Sequence, residues 1–282
     1  MGDEYVIACN NGALCNVIKC MLSSLRLCDI HNRSLKVIWM QNKNKINCDF
    51  ADIFENDFEI VRHLCFKQLR NFNFGTSIRY DSSRLYIHED DDIVDNFSTI
   101  SHDLTGKRYR DFDQFNGKVI EHEYRRIPTE LQDVYRKYID KLIVKKEILK
   151  EVEDFMIEND LWGNEYTAVH IRTWNYKSLN HTPREAQRRK TVNIDLIIEQ
   201  IIAIEGRLFV CTDNQSLIER LRTKNPDICF RRLKHSDNPM AIDGFIDMMI
   251  ASHASKLYLT LHSTFSEIIW WFNKNNPEVN LI

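Results

Sequence analysis

The second half of the chain alternates between two kinds of segment, and that alternation limits its fold more than any other feature. Short apolar runs occur at Tyr166–Arg172, Arg207–Cys211 and Lys256–Leu261, with a further short run at Ile228–Leu233. Each is too short for an ordinary globular helix and reads as a strand buried on both faces. Stretches of helical length lie between and after them: Asn193 to Ile204, Gln215 to Thr223, Asp243 to Ala254 and Glu267 to Asn273. Gly206 marks a stop after the first of these. Strands joined through helices run parallel, so the pattern predicts a Rossmann-like α/β domain.

The first half opens in the same way. Tyr5–Ala8 reads as a strand, Asn10-Asn11-Gly12 as a polar turn, and Ala13 to Asp29 as an amphipathic helix. Leu14, Val17, Ile18, Met21, Leu22, Leu25 and Cys28 recur there at helical spacing. A turn at His31-Asn32-Arg33 leads to a second strand, Leu35–Met40. Strand, helix, strand is the unit of a doubly wound sheet, whose first loop lies on the ligand edge. Further on, Phe50–Phe54 predicts a short helix, Arg84–Ile87 a strand and residues 97–117 a loop-rich stretch. From Thr129 to Asp160 the pattern is helical, with a break near Asp140. The second helix, Lys145 to Asn159, sets Ile148, Val152, Phe155 and Met156 on one face. The domain boundary is expected within it, near residue 150. Two Rossmann-like domains, 1–150 and 151–282, facing across a cleft make a GT-B-like architecture.

Composition excludes several classes of function. A chain of 282 residues accommodates two modest domains, and 43% hydrophobic with 28% charged residues is globular. A net charge of −3 gives no support to nucleic acid or an anionic membrane as the main partner. No apolar run approaches the ~20 residues of a membrane span. The longest candidate, Phe245 to Phe272, is interrupted by Asp247, His253, Lys256, His262 and Glu267. Met1-Gly2-Asp3-Glu4 is acidic and runs straight into a strand, so a cytoplasmic location is expected. Of the eight cysteines none forms a C-x-x-C, and no H-E-x-x-H occurs. Reduced buried thiols are therefore expected, with no zinc site.

Three strands of the second half end in polar groups: His170 and Arg172, Thr212 and Asp213, and Ser263 and Thr264. In a parallel sheet these ends share one edge, where ligands bind. Each group also has a purely structural reading. His170 fits a hydrogen-bonded core histidine, and Arg172 fits a partner for a buried carboxylate such as Asp213. Thr212-Asp213-Asn214 contains good helix caps. Thr264 and Glu267 have capping-box spacing. A helix opening with two hydroxyl residues also presents free backbone N–H groups to an anion.

The H-x-R strand with Arg172, the T-D pair after the next strand and the S-T-F-S run before a helix resemble signatures of a superfamily. It comprises the GDP-fucose-dependent fucosyltransferases of the α1,2-, α1,6- and protein-O-fucosylating types. The nodulation α1,6-fucosyltransferases are nearest in size. Leu22–Leu27 and Leu35–Trp39 resemble that family's first helix and second strand. The resemblance covers most of residues 160–282 and about 5–40. It implies that Arg172 contacts the β-phosphate of GDP-fucose, with His170 beside it on the donor side. It implies that Ser263, Thr264 and Phe265 hold the diphosphate and that Asp213 lies on the donor side. It places Asp247, sixteen residues before Ser263, at the guanine or ribose, beside the structural reading of a solvated helix charge. The family's G-x-G-N loop is replaced by Asn11-Gly12-Ala13-Leu14-Cys15-Asn16. Asn10, Gly12 and Asn16 are the acceptor-side candidates there. After H-x-R stands Thr173-Trp174-Asn175, a departure from the family's acidic or glycine-containing continuation.

The implied reaction is inverting, metal-independent transfer of fucose to a glycan hydroxyl, with residues 1–150 on the acceptor side and 151–282 binding the sugar nucleotide. No cofactor is required, and the partners are the sugar nucleotide and a glycan or glycoconjugate. His31, Glu89 and Glu123 are candidate general bases without a distinguishing feature among them. The basic residues Arg184, Arg188, Arg189 and Lys190 read as a solvated loop or as help for the diphosphate. Two alternatives stand beside this reading. A metal-dependent transferase would use Asp90 and Asp92 of the Asp90-Asp91-Asp92 run. A silent glycan- or nucleotide-binding module would account for the altered first loop.

Overall fold

Parallel strand pairing organises both halves of the molecule. A computed structural model of the chain describes residues 5–9, 13–39, 46, 48–61, 119–120, 132–173, 193–231, 241–260 and 263–282. It divides into two compact units, residues 1–150 with 233–246 and residues 151–232 with 247–282.

In the first unit β1 (Tyr5–Cys9) leads to α1 (Leu14–His31) and β2 (Ser34–Ile38). A 3-10 turn at Phe50–Asp52, β3 (Glu59–Val61) and β4 (Val119–Ile120) follow. The strands pair in parallel in the order β3-β2-β1-β4. All seven apolar residues that define the helical spacing of α1 are buried, which is why this stretch packs as one helix. It ends at Asn32, whose φ of 50° is the left-handed stop that asparagine tolerates better than most residues. The strand β3 carries no sequence signal of its own, and the expected strand Arg84–Ile87 lies outside the described residues. Trp39 is fully buried against Phe50, with its Nε1–H donating to the Cys48 carbonyl at 2.7 Å. The long helical stretch breaks as its pattern predicts, into α2 (Gln132–Ile139) and α3 (Lys146–Glu158). Ser23 and Tyr135, at 2.9 Å, tie α1 to α2.

The second unit is built on β5 (Thr167–Ile171), α4 (Ile194–Ile202), β6 (Leu208–Thr212) and α5 (Gln215–Lys224). Then come α6 (Ile242–Ala251), whose residues from Asp247 on belong to this unit, β7 (Lys256–Leu259), α7 (Thr264–Phe272) and β8 (Glu278–Leu281). The sheet is parallel in the order β6-β5-β7-β8. Side chains alternate across it. Val169, Ile171, Leu208 and Val210 join Ile198, Ile201, Leu217 and Leu221 in one core. On the other face Phe209 meets Phe155 of α3 edge-on, with ring centroids 5.8 Å apart.

From β5 the chain steps to β6 in one direction, and from β7 to β8 in the other. Right-handed crossovers in opposite directions place their helices on opposite faces, so the winding reverses between β5 and β7. The carboxyl ends of those two neighbours are the switch point of the sheet. Two expectations change in detail. The run at Ile228 forms only a bridge from Cys229 to Phe209 among the described residues. The last helix begins at Thr264, three residues before the predicted start, and β8 adds an edge strand that its half-exposed Glu-Val-Asn-Leu sequence does not announce.

Candidate active site

Strand register brings the three polar strand ends of the second unit to one edge. His170 pairs with Cys211 of β6 and Leu259 of β7, and Ile171 pairs with Thr212. Arg172 and Thr173 therefore emerge between Asp213 on one side and Thr260 on the other. Arg172 lies one residue beyond the strand rather than in it. Its backbone N–H donates to Thr260 Oγ1 at 2.9 Å, and the same hydroxyl donates to the His170 carbonyl at 2.8 Å. One threonine thus extends the β5–β7 ladder past its last strand pair and fixes where Arg172 leaves the sheet.

Asp213 meets Arg172, as the structural reading of that arginine allowed. Asp213 Oδ2 stands 3.0 Å from Arg172 Nη1, with the two side chains 13% and 22% exposed. Its other oxygen, Oδ1, accepts from the Thr173 N–H at 2.8 Å and from Thr173 Oγ1 at 3.0 Å. Oδ2 is buried and accepts no aligned hydrogen bond among the described residues, so the contact with the guanidinium is Coulombic. Helix capping falls instead to Asn214, whose Oδ1 accepts from the Ser216 N–H at 3.1 Å. That division of labour leaves Asp213 for the arginine.

His170 faces the opposite layer. Its ring stacks on Phe265 with centroids 4.5 Å apart, and Nδ1 lies 2.7 Å from Ser266 Oγ. Burial, with the charge of Arg172 beside it, pushes the imidazole down to about 3. The ring is neutral at physiological pH, and its nitrogen is engaged by the first turn of α7. That helix is capped by Ser263, which is buried and has extended backbone (φ −95°, ψ 120°) but makes no side-chain capping bond. The Thr264–Glu267 capping box does not form, because the helix starts at Thr264 itself. Thr264 and Phe265 are the first two residues of the helix, so their N–H groups are ones that no intrahelical carbonyl can satisfy. Ser263, Thr264 and Phe265 thus form a helix N-terminus at the edge that carries Arg172.

Asp247 is engaged by a buried arginine of the same unit. Its Oδ1 accepts from Arg231 Nε at 2.8 Å, while Arg231 Nη1 donates to Glu151 at 3.0 Å. The Arg231 side chain is only 2% exposed. This triad joins α3, the segment after the Cys229 bridge and α6, and gives Asp247 a partner that spacing alone did not reveal.

In the first unit Asn16 is the third residue of α1 rather than a loop residue, and its Oδ1 is buried without a hydrogen bond among the described residues. His31 ends the same helix. Asn10, Gly12, Glu89, Asp90, Asp92, Glu123, Arg184, Arg188, Arg189 and Lys190 lie outside the described residues. Among the described residues no cluster of three metal-ligating side chains occurs, and no helix is long and apolar enough to cross a membrane. Sequence reasoning missed Thr260, Ser266, Arg231 and Glu151, and singled out Thr173 only as part of the departure after H-x-R. The hydroxyl residues acquire meaning only through strand register, though Ser266 stands within the S-T-F-S run.

A parallel α/β sheet with an arginine, a carboxylate and a helix N-terminus at its switch point is the class that fold and site define. No protein-family model matches the chain, and no curated protein matches it in sequence. Its fold is found in solved fucosyltransferases. NodZ from Bradyrhizobium superposes with a TM-score of 0.57 at 14% identity, over 96% of this chain and 93% of that one. The NodZ α1,6-fucosyltransferase co-crystallized with GDP gives 0.58 at 14% identity, over 96% and 92%. POFUT1 in complex with GDP-fucose gives 0.54 at 12% identity, over 100% and 98%. At these identities the likeness is one of fold.

Proposed function

We propose that this protein is a glycosyltransferase that moves fucose from GDP-fucose to a glycan hydroxyl with inversion at the anomeric carbon. The observation that carries the reading is that Arg172 and the N-terminus of α7 follow neighbouring strands at the sheet's switch point. Breaking the C1–O bond leaves negative charge on the β-phosphate as the sugar becomes oxocarbenium-like. A guanidinium already held in place and helix N–H groups that have no intrahelical carbonyl partner stabilise that charge as it develops, at little reorganisation cost. In this reading Arg172 meets the β-phosphate, Ser263, Thr264 and Phe265 receive the diphosphate, and Asp247 lies on the nucleoside side.

His170 enters as a neutral ring that anchors the first turn of α7 to β5, rather than as a proton-transfer group. An imidazole pushed down to about 3 has almost no affinity for a proton at neutral pH. The first unit takes the acceptor role and the second the donor role, the division of a GT-B-like enzyme. Arg172 and the helix N-terminus supply the charge that a divalent ion would otherwise supply, so the reaction requires no metal.

The test is release of GDP from GDP-fucose in the presence of a panel of glycan acceptors, with and without excess EDTA. Acceptor-dependent GDP release that survives EDTA supports the reading. Release abolished by EDTA and restored by a divalent ion refutes its metal-independent part. GDP binding without turnover on any acceptor supports a binding module instead.

A further inference from the structure

We propose that Asp213 is a positioning residue for Arg172, acting on transfer only through the guanidinium and not through the donor; this rests on the donor-site reading above. Asp213 is itself fixed before it fixes anything else. Thr173 gives Oδ1 two donors, one from the backbone and one from its hydroxyl, at 2.8 and 3.0 Å. That bracing turns Oδ2 toward Arg172 Nη1 at 3.0 Å. Thr260 holds the arginine's backbone from the opposite strand at 2.9 Å. Main chain and side chain of Arg172 are thus fixed by the residues that follow the two strands flanking β5, Asp213 after β6 and Thr260 after β7. A carboxylate that touched the diphosphate would repel it. One that sits against the arginine and is braced from behind holds the guanidinium in place by its charge before the phosphate arrives.

Asp213→Asn tests this because it keeps shape while breaking the arrangement. An asparagine has one acceptor and one NH2 group. Whichever way it turns, the NH2 opposes either the guanidinium or the Thr173 donors. Transfer should fall on the order of 10²-fold, the cost of a misplaced catalytic group, with the KM for GDP-fucose changed far less than kcat. The deciding measurement is a double-mutant cycle with Arg172→Ala. If Asp213 acts only through Arg172, adding Asp213→Asn to the Arg172→Ala protein has little further effect on kcat. An undiminished second loss in that background overturns the inference.

Thr173→Val provides an independent variant should Asp213→Asn fold poorly. It removes one brace without touching the charge and should lower kcat in the same direction by a smaller factor. Wild-type rates in a well-folded Thr173→Val protein overturn the inference. Calorimetric binding of GDP and of inorganic pyrophosphate separates its failure from failure of the donor reading. Probe binding that requires Arg172, alongside a kcat that neither Asp213→Asn nor Thr173→Val lowers, overturns the inference alone. A wild-type protein that binds neither probe overturns the donor reading and the inference with it.

Discussion

Arg172 holds a charge that is costly to bury, and its surroundings show how the cost is met. Asp213 compensates it, Thr260 fixes its backbone, and the first turn of α7 opens at the same edge. Replacing Arg172 with alanine should lower kcat for transfer from GDP-fucose by about 10²–10³-fold, the usual cost of losing one preorganised donor to a developing anion. Arg172→Lys should recover only part of this, because an ammonium lacks the planar fork. Near wild-type turnover in Arg172→Ala refutes the phosphate role.

His170 makes a different prediction, about stability. Its folded-state value of about 3 lies below the ordinary histidine value of 6.5. Between those two values the unfolded chain binds the proton and the folded protein does not. Stability is therefore fully present above pH 6.5 and is lost as pH falls toward about 3, at up to ~1.4 kcal/mol per pH unit. Urea unfolding at pH 7 and pH 5 should show this loss in the wild type and a smaller one in His170→Gln. Equal losses contradict the assignment of a buried neutral ring.

At the scale of elements, caps and hydroxyls divide into those that hold the scaffold and those that hold the site. Asn214 caps α5 and touches no proposed donor contact, so Asn214→Ala should cost about 1 kcal/mol of stability and leave kcat nearly unchanged. Thr260→Val removes the acceptor for the Arg172 N–H at the end of the β5–β7 ladder. It should cost roughly 1–3 kcal/mol for a poorly satisfied donor, and also lower kcat by displacing Arg172. Thermal unfolding and initial rates on the two variants separate the classes, and a Thr260→Val protein with full activity contradicts this division.

Elements were legible in the sequence where burial on both faces left continuous apolar runs, as in β5 and β6, or where a helix carried a long apolar stripe, as in α1. They were not legible where pairing alone makes the strand. The edge strand β8 is half-exposed Glu-Val-Asn-Leu, and β3 is only three residues long. The ends of β5, β6 and β7 were readable as one edge because helices between strands imply parallel pairing. Arg172 facing Asp213 was readable only as one of two alternatives, because choosing between them needs the register of β5 on β6. Thr173, Thr260 and Ser266 were not readable as site residues, since a small hydroxyl carries no signal until a neighbouring strand or helix is placed beside it.

At the scale of the molecule, the chain moves between its two units at 150/151, 232/233 and 246/247, and two of these junctions lie inside α3 and α6. Arg231 bonds Glu151 and Asp247, the first residue of the second unit on each of those helices. Truncating it to alanine takes the buried cation away from two largely buried carboxylates and should cost roughly 3–5 kcal/mol, read as a lower urea midpoint. The central claim, that the edge formed by Arg172 and the start of α7 receives a guanosine diphosphate sugar, has a more direct test. A ligand at 100 times its dissociation constant adds about 2.7 kcal/mol to the stability of a protein that binds it only when folded. In a thermal-shift comparison, GDP and GDP-fucose should raise the Tm, UDP and CMP ligands should not, and Arg172→Ala should lose most of the GDP shift. A shift with UDP sugars equal to that with GDP-fucose, or a GDP shift undiminished in Arg172→Ala, contradicts the account.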